Sequence, residues 1–167
     1  MANTLIPIQS YNLTSASSSV TFSNIPQTYT DLVIKISVRQ TAAFPFSTFL
    51  LSLNSTTTSF TVRYGEGDGA TAASGTSPAR YVMYANAANS TTNAFSCGEI
   101  YFPEYKSSNF KNYIVDAAGE QNAATSYIDT VSGLWSNTSA ITSITFTPAS
   151  GNFDTYSSFH LYGISKI

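Results

Sequence analysis

Residues 31–40 read DLVIKISVRQ, and the spacing of their apolar side chains decides the fold. Leu32, Ile34, Ile36 and Val38 alternate with Val33, Lys35, Ser37 and Arg39. A period of two gives one buried and one wet face, the signature of a half-buried β-strand rather than a helix. Upstream, Val20, Phe22 and Ile25 share a face, and Pro26 ends the run because proline cannot donate to a ladder. Residues 5–13 read as a first strand whose Pro7 places its start at a sheet edge. Downstream, Phe49, Leu51 and Leu53 face Phe60, Val62 and Tyr64 across residues 54–59, which predicts a hairpin.

Further strands are predicted over residues 80–84, 94–102, 112–118, 125–131, 139–147 and 157–164. Ile141 lies at the start of its strand, and Ile144 and Phe146 share a face. Phe159 and Leu161 point inward, leaving His160 and Tyr162 on the other side. The stretch YGEGDGATAASGTSP (residues 64–78) has four glycines and, past Tyr64, no large apolar residue, so it reads as a flexible loop. Residues 131–137 could close as a short helical turn; nothing longer is expected. About ten short strands separated by turn signals argue for an all-β, antiparallel, jelly-roll-like sandwich in one domain spanning residues 1–167.

Composition sets the function classes. Only 10% of the 167 residues are charged, against about 25% in an ordinary soluble domain. A net charge of -2 from 7 basic and 9 acidic residues excludes a phosphate-tracking surface, so no nucleic-acid partner is expected. Hydrophobic residues at 43% are too many for a disordered chain. No apolar run approaches the ~18 residues of a membrane span, and MANTLIPIQS lacks a signal-peptide pattern, so no membrane partner is expected and synthesis is placed in a cytoplasm. Cys97, the only cysteine, makes no internal disulfide. Hydration is left to 26 Ser, 22 Thr and 12 Asn. Such side chains wet a surface without repelling neighbouring copies, and low net charge favours association. A bias of the genome would give a similar composition; an assembled, environment-facing protein is the preferred reading.

Candidate chemistry is sparse. His160, the only histidine, sits mid-strand between Phe159 and Leu161, where a surface or interface role fits better than a catalytic base. One histidine and one cysteine exclude a zinc site built on those ligands. Cys97 lies within the apolar stretch 95–102 and reads as a buried, inert thiol. Glu66 and Asp68 stand two apart in GEGDG, but a flexible loop holds a catalytic dyad poorly, and the ligand spacing of an EF-hand is absent. Glu99, Glu104, Asp116 and Glu120 fit solvated or interfacial positions. No phosphate-cradling glycine loop is present. No catalytic residue, cofactor or metal is therefore expected, and the protein does not read as an enzyme. Tyrosines near loops, Tyr101, Tyr105 and Tyr156, are candidates to stack on a sugar or a neighbouring subunit.

The opening LIPIQSYNLTSASSSVTFSNIPQTYTDLVIKISVR (residues 5–39) resembles a pattern common in small virion proteins of tailed bacteriophages, especially phages of aquatic bacteria. EIYFPEYKSSNFKNYIVD (99–116), GLWSNTSAITSITFTPASGNF (133–153) and FHLYGI (159–164) continue the likeness in order. The resemblance implies a β-sandwich displayed on a virion, as a capsid decoration (cement) protein or as a tail or fibre component. It carries no catalytic residues. It implies as partners the major capsid protein and copies of this chain, with a trimer matching local threefold axes of a shell. Leu5, Ile6, Ile8, His160 and Tyr162 are the expected interface. The alternative is a fibre module in which Tyr101, Tyr105 and Tyr156 meet a host surface glycan.

Overall fold

A computed structural model describes residues 5–77, 80–122 and 125–165. Among the described residues there are twelve strands: β1(Leu5–Asn12), β2(Val20–Phe22), β3(Asp31–Val38), β4(Phe46–Leu53), β5(Phe60–Gly67), β6(Ala72–Ser77), β7(Tyr81–Asn86), β8(Ser96–Phe102), β9(Lys111–Gly119), β10(Tyr127–Trp135), β11(Ile144–Pro148) and β12(Ser158–Ile164). They form an eight-stranded sheet, β1-β12-β3-β8-β9-β10-β5-β6, and a four-stranded sheet, β2-β11-β4-β7. Every pairing between these strands is antiparallel.

The strand order explains the wrapping. Without the hairpins β5–β6 and β9–β10, the sheets reduce to β1-β12-β3-β8 and β2-β11-β4-β7. The chain then changes sheet at every step except β4 to β7, which is jelly-roll winding. The two extra hairpins join the same edge of one sheet and make it the wider layer.

The period-two pattern places the core between the layers. Leu32, Ile34, Ile36 and Val38 from β3, with Ile100, Phe102, Val115, Phe159 and Leu161, meet Phe22, Phe49, Leu51, Leu53 and Phe146 of the small sheet. Aromatic edges and faces interlock there: Phe49 meets Phe146 at 5.8 Å and Phe153 at 5.5 Å, while Phe159 stacks on Phe146 at 5.7 Å. Each such side chain contributes about 1.5–3 kcal/mol by leaving water. Strand β9 shows the pattern most regularly, and its inward Lys111 is the exception to apolar filling. Its ammonium lies beneath a loop and donates to the carbonyls of Ser107 (2.7 Å) and Asn109 (2.5 Å). Burial pulls its pKa below the ordinary lysine value.

Several local expectations are corrected. Strands β4 and β5 do not pair: β4 lies between β11 and β7, and β5 between β10 and β6. Residues 54–59 carry the chain from one sheet to the other, so both apolar faces are used across the core instead of side by side. Asn54 fixes this crossing with φ 50°, donating to Ala140 O at 2.8 Å and accepting from the Thr142 amide at 2.8 Å. The glycine-rich stretch is a hairpin, β5–β6, up to residue 77; Pro78 lies outside the described residues. Strand β6 is an edge of small residues, AASGTS, so the backbone ladder defines it and no alternation of large apolar side chains announces it. The residues read as a helical turn continue β10 to Trp135. Arg39, expected on a wet face, is buried, and its guanidinium donates at 2.9 Å to Ser90 Oγ, Thr91 O and Ala94 O.

Candidate functional site

The outer face of the large sheet is built from residues that alternate with the core. Register aligns Pro7, Tyr162, Val33, Tyr101 and Ile114 in one row across β1, β12, β3, β8 and β9. At ~4.8 Å per strand the row is about 19 Å long. Val33 is only 4% exposed because the tyrosines on either side cover it, while Ile114 at the end is 43% exposed. Tyr101 donates its hydroxyl to Asp31 Oδ2 at 2.8 Å, and Asp31 Oδ1 accepts the Glu104 amide at 2.9 Å. Burial and then the bond to Asp31 push the Tyr101 pKa up to about 12, so the ring stays neutral and fixed.

The next row is polar: Ser10, His160, Lys35, Glu99, Asp116 and Thr130. His160 Nδ1 lies 3.0 Å from Ser10 Oγ, Lys35 and Glu99 form an ion pair, and Thr130 Oγ1 donates to Asp116 at 3.3 Å. These polar side chains largely satisfy one another along the sheet. Beyond them Cys97, Ala118 and Ile128 align, with Ile128 68% exposed. The small side chains there leave an open depression of about 510 Å³ bounded by Glu99, Asp116 and Ile128. The face therefore presents an apolar stripe, a polar stripe in which Lys35 pairs with Glu99 while Asp116 has no ion-pair partner among the described residues, and a shallow hollow. The apolar stripe can bury area against a partner, with Asp116 left to a hydrated rim.

The expected site residues are divided by this geometry. Tyr162 and His160 lie on the outer face as expected, and Leu5 joins it beside Ile164. Ile6 pairs with Gly163 and has the opposite parity, on the side of the core, though it remains exposed at the edge. Ile8 sits at the register shift between Pro7 and Gln9 and packs against the core. Tyr105 is fully buried, with its hydroxyl bonded to Pro26 O, so its ring cannot meet a glycan. The loop around it folds inward because Ile141 N also bonds to Tyr105 O at 3.0 Å. Tyr156 is 81% exposed, held in a turn at φ 72°. It borders a depression of about 390 Å³ with Asn93, Phe95 and Asp154.

Cys97 is exposed rather than buried, since strand parity aligns it with Glu99 and Tyr101. Asp68 caps its own turn, accepting from the amides of Ala70 (2.9 Å) and Thr71 (2.6 Å). Among the described residues no cluster of three His, Cys, Asp or Glu is placed to hold a metal. Ile114 and Ile128 are exposed residues that the sequence reading passed over, and Val33, read on the wet face, is covered there. Their signal was available as apolar side chains on the wet parity of otherwise amphipathic strands. Neither a known family model nor a curated protein matches this sequence.

Proposed function

We propose that this chain is a structural protein of a tailed-phage virion, a decoration protein on the head exterior that bridges neighbouring copies of the major capsid protein. The supporting observation is the row Pro7–Tyr162–Val33–Tyr101–Ile114, a preformed apolar stripe on an extended, rigid sheet face. Apolar burial contributes about 25 cal/mol per Å², and repetition over a shell multiplies a modest contact into mechanical strength. Low charge suits copies that sit side by side, and a closed trimer is the proposed association. No step of this role requires a catalytic residue.

A map of the intact particle tests the reading. Hundreds of copies on the head, with the large sheet turned toward the capsid, are expected. A dozen copies on the tail, or absence from the particle, overturns it. Ile114→Glu, a substitution at an exposed strand position, is expected to abolish incorporation while the isolated chain keeps its thermal midpoint. The second reading, a tail-fibre component that recognises a host surface glycan, draws on Tyr156 alone, whose exposed ring borders a polar hollow. Loss of binding to host polysaccharide in Tyr156→Ala would favour it.

A further inference from the structure

On the other side of the large sheet, the added hairpins extend past β7, the edge strand of the small sheet. Beneath this overhang lies a cleft of about 220 Å³ lined by Thr48, Leu50, Tyr64, Glu66, Tyr81 and Tyr84. We propose that this cleft binds a small organic ammonium ion, such as an N-methylated head group, between the tyrosine rings and the Glu66 carboxylate. The inference is independent of where the protein sits on a particle.

The rings form a corner rather than a stack. Tyr64 and Tyr81 have centroids 5.8 Å apart at 58°, and Tyr81 and Tyr84 are 5.9 Å apart at 69°. Inclined rings offer their negative π-faces from more than one direction, the arrangement that attracts a cation within about 6 Å of a centroid. The corner is fixed in advance. Buried Asp129 of β10 accepts the Tyr81 hydroxyl at 2.8 Å and the Tyr84 amide at 2.9 Å. Tyr84 is backed by Tyr127, stacked at 4.2 Å. Tyr64 lies over Gly75, its partner in the β5–β6 register, where a Cβ would come within 2.8 Å of the tyrosine hydroxyl.

Charge selects the ligand. The half-buried Glu66 carboxylate makes no hydrogen bond among the described residues, and neither do the hydroxyls of Tyr64 and Tyr84. The charged groups acting on Glu66 are Asp129 and Asp68, both negative, and no lysine, arginine or histidine lines the cleft. Burial, followed by those two carboxylates, raises the Glu66 pKa. A neutral sugar offsets none of this crowding of negative charge; a cation offsets it directly. The volume lies below the roughly 300–1,000 Å³ of drug-sized sites, which fits a head group better than an oligosaccharide.

Calorimetric titration of the full chain with choline, against its uncharged isostere 3,3-dimethylbutan-1-ol, tests the proposal. Choline is expected to saturate one site and to bind about tenfold tighter than the isostere. Glu66→Gln is expected to weaken choline by about fivefold or more, and Tyr84→Leu to abolish binding. Tyr64→Phe, which keeps the ring, stays within about twofold, and near-ultraviolet circular dichroism checks that each variant is folded. Equal binding of the isostere, an unchanged affinity in folded Glu66→Gln, no saturation by choline, or displacement of choline by a neutral methyl hexoside would each overturn it.

Discussion

Substituting Gly133 by alanine places a methyl group where the structure has a tyrosine ring. Gly133 of β10 pairs with Tyr113 of β9, and a Cβ on Gly133 would lie 2.0 Å from Tyr113 Cζ and 2.4 Å from its hydroxyl. Ordinary contact begins near 3.4 Å, so the ring would have to retreat by more than an ångström. It has nowhere to go. Tyr113 is 2% exposed and packs on Phe102 at 5.5 Å. Overpacking of a filled core costs about 1–3 kcal/mol, and a backbone-anchored methyl against an aromatic ring belongs at the upper end. About 3 kcal/mol corresponds to a fall in Tm of roughly 6–12 °C for a chain of this size. Urea titration followed by fluorescence of Trp135, the only tryptophan and fully buried, reads the loss directly. Tyr113→Leu alone is expected to cost about 2 kcal/mol. Because leucine vacates the space above Gly133, the double variant should be more stable than the sum of the singles by about 2 kcal/mol. A Gly133→Ala midpoint matching the parent, or strictly additive losses, would refute the packing argument.

Arg39→Ala is expected to lower stability by about 3 kcal/mol, since it strips donors from the carbonyls of residues 88–94. Arg39→Lys should recover little of this because an ammonium cannot reproduce the fork; a Lys variant with the parental Tm contradicts it. For pH, burial raises the Asp129 pKa above its ordinary 3.8, outweighing the bonds from Tyr84 and Tyr81 that lower it. The folded state then holds a proton that the unfolded state has released, so this contribution to stability is present below that value and is lost as pH rises through the folded pKa. Glu66 acts in the same direction from 4.5 upward. Urea midpoints should therefore decline as pH rises above about 4, less steeply in Asp129→Asn, and a parental midpoint that rises there contradicts the assignment.

The architecture was legible where strands are amphipathic. DLVIKISVRQ declared β3, and the same alternation set the inward faces of β9, β11 and β12. What failed were inferences that needed the third dimension. Phe49–Leu53 and Phe60–Tyr64 look like hairpin partners because each has one apolar face, yet two such faces are equally satisfied across a core. Cys97 was judged from its apolar neighbours when parity with Glu99 was the better guide. Arg39 gave no sign of burial because its partners are mostly loop carbonyls, which any sequence supplies. Tyr105 was misplaced because a loop position does not say which way the ring turns. The tyrosine cleft was not readable at all: Tyr64, Tyr84 and Asp129 come from strands brought together only by the widened sheet.

The first strand lies against the last, β1 beside β12, with β3 next inward. A ribosome emitting this chain therefore cannot finish the large sheet until β12 has emerged. Up to that moment the hydrogen-bonding edge of β3 awaiting its neighbour stays open to strands of other nascent chains. Such long-range closure places folding in the millisecond-to-second range and after the emergence of β12. The same adjacency brings the ends of the described chain together, so joining them and reopening the ring at the Gly67–Ala72 turn should yield a permuted chain with its sheets intact.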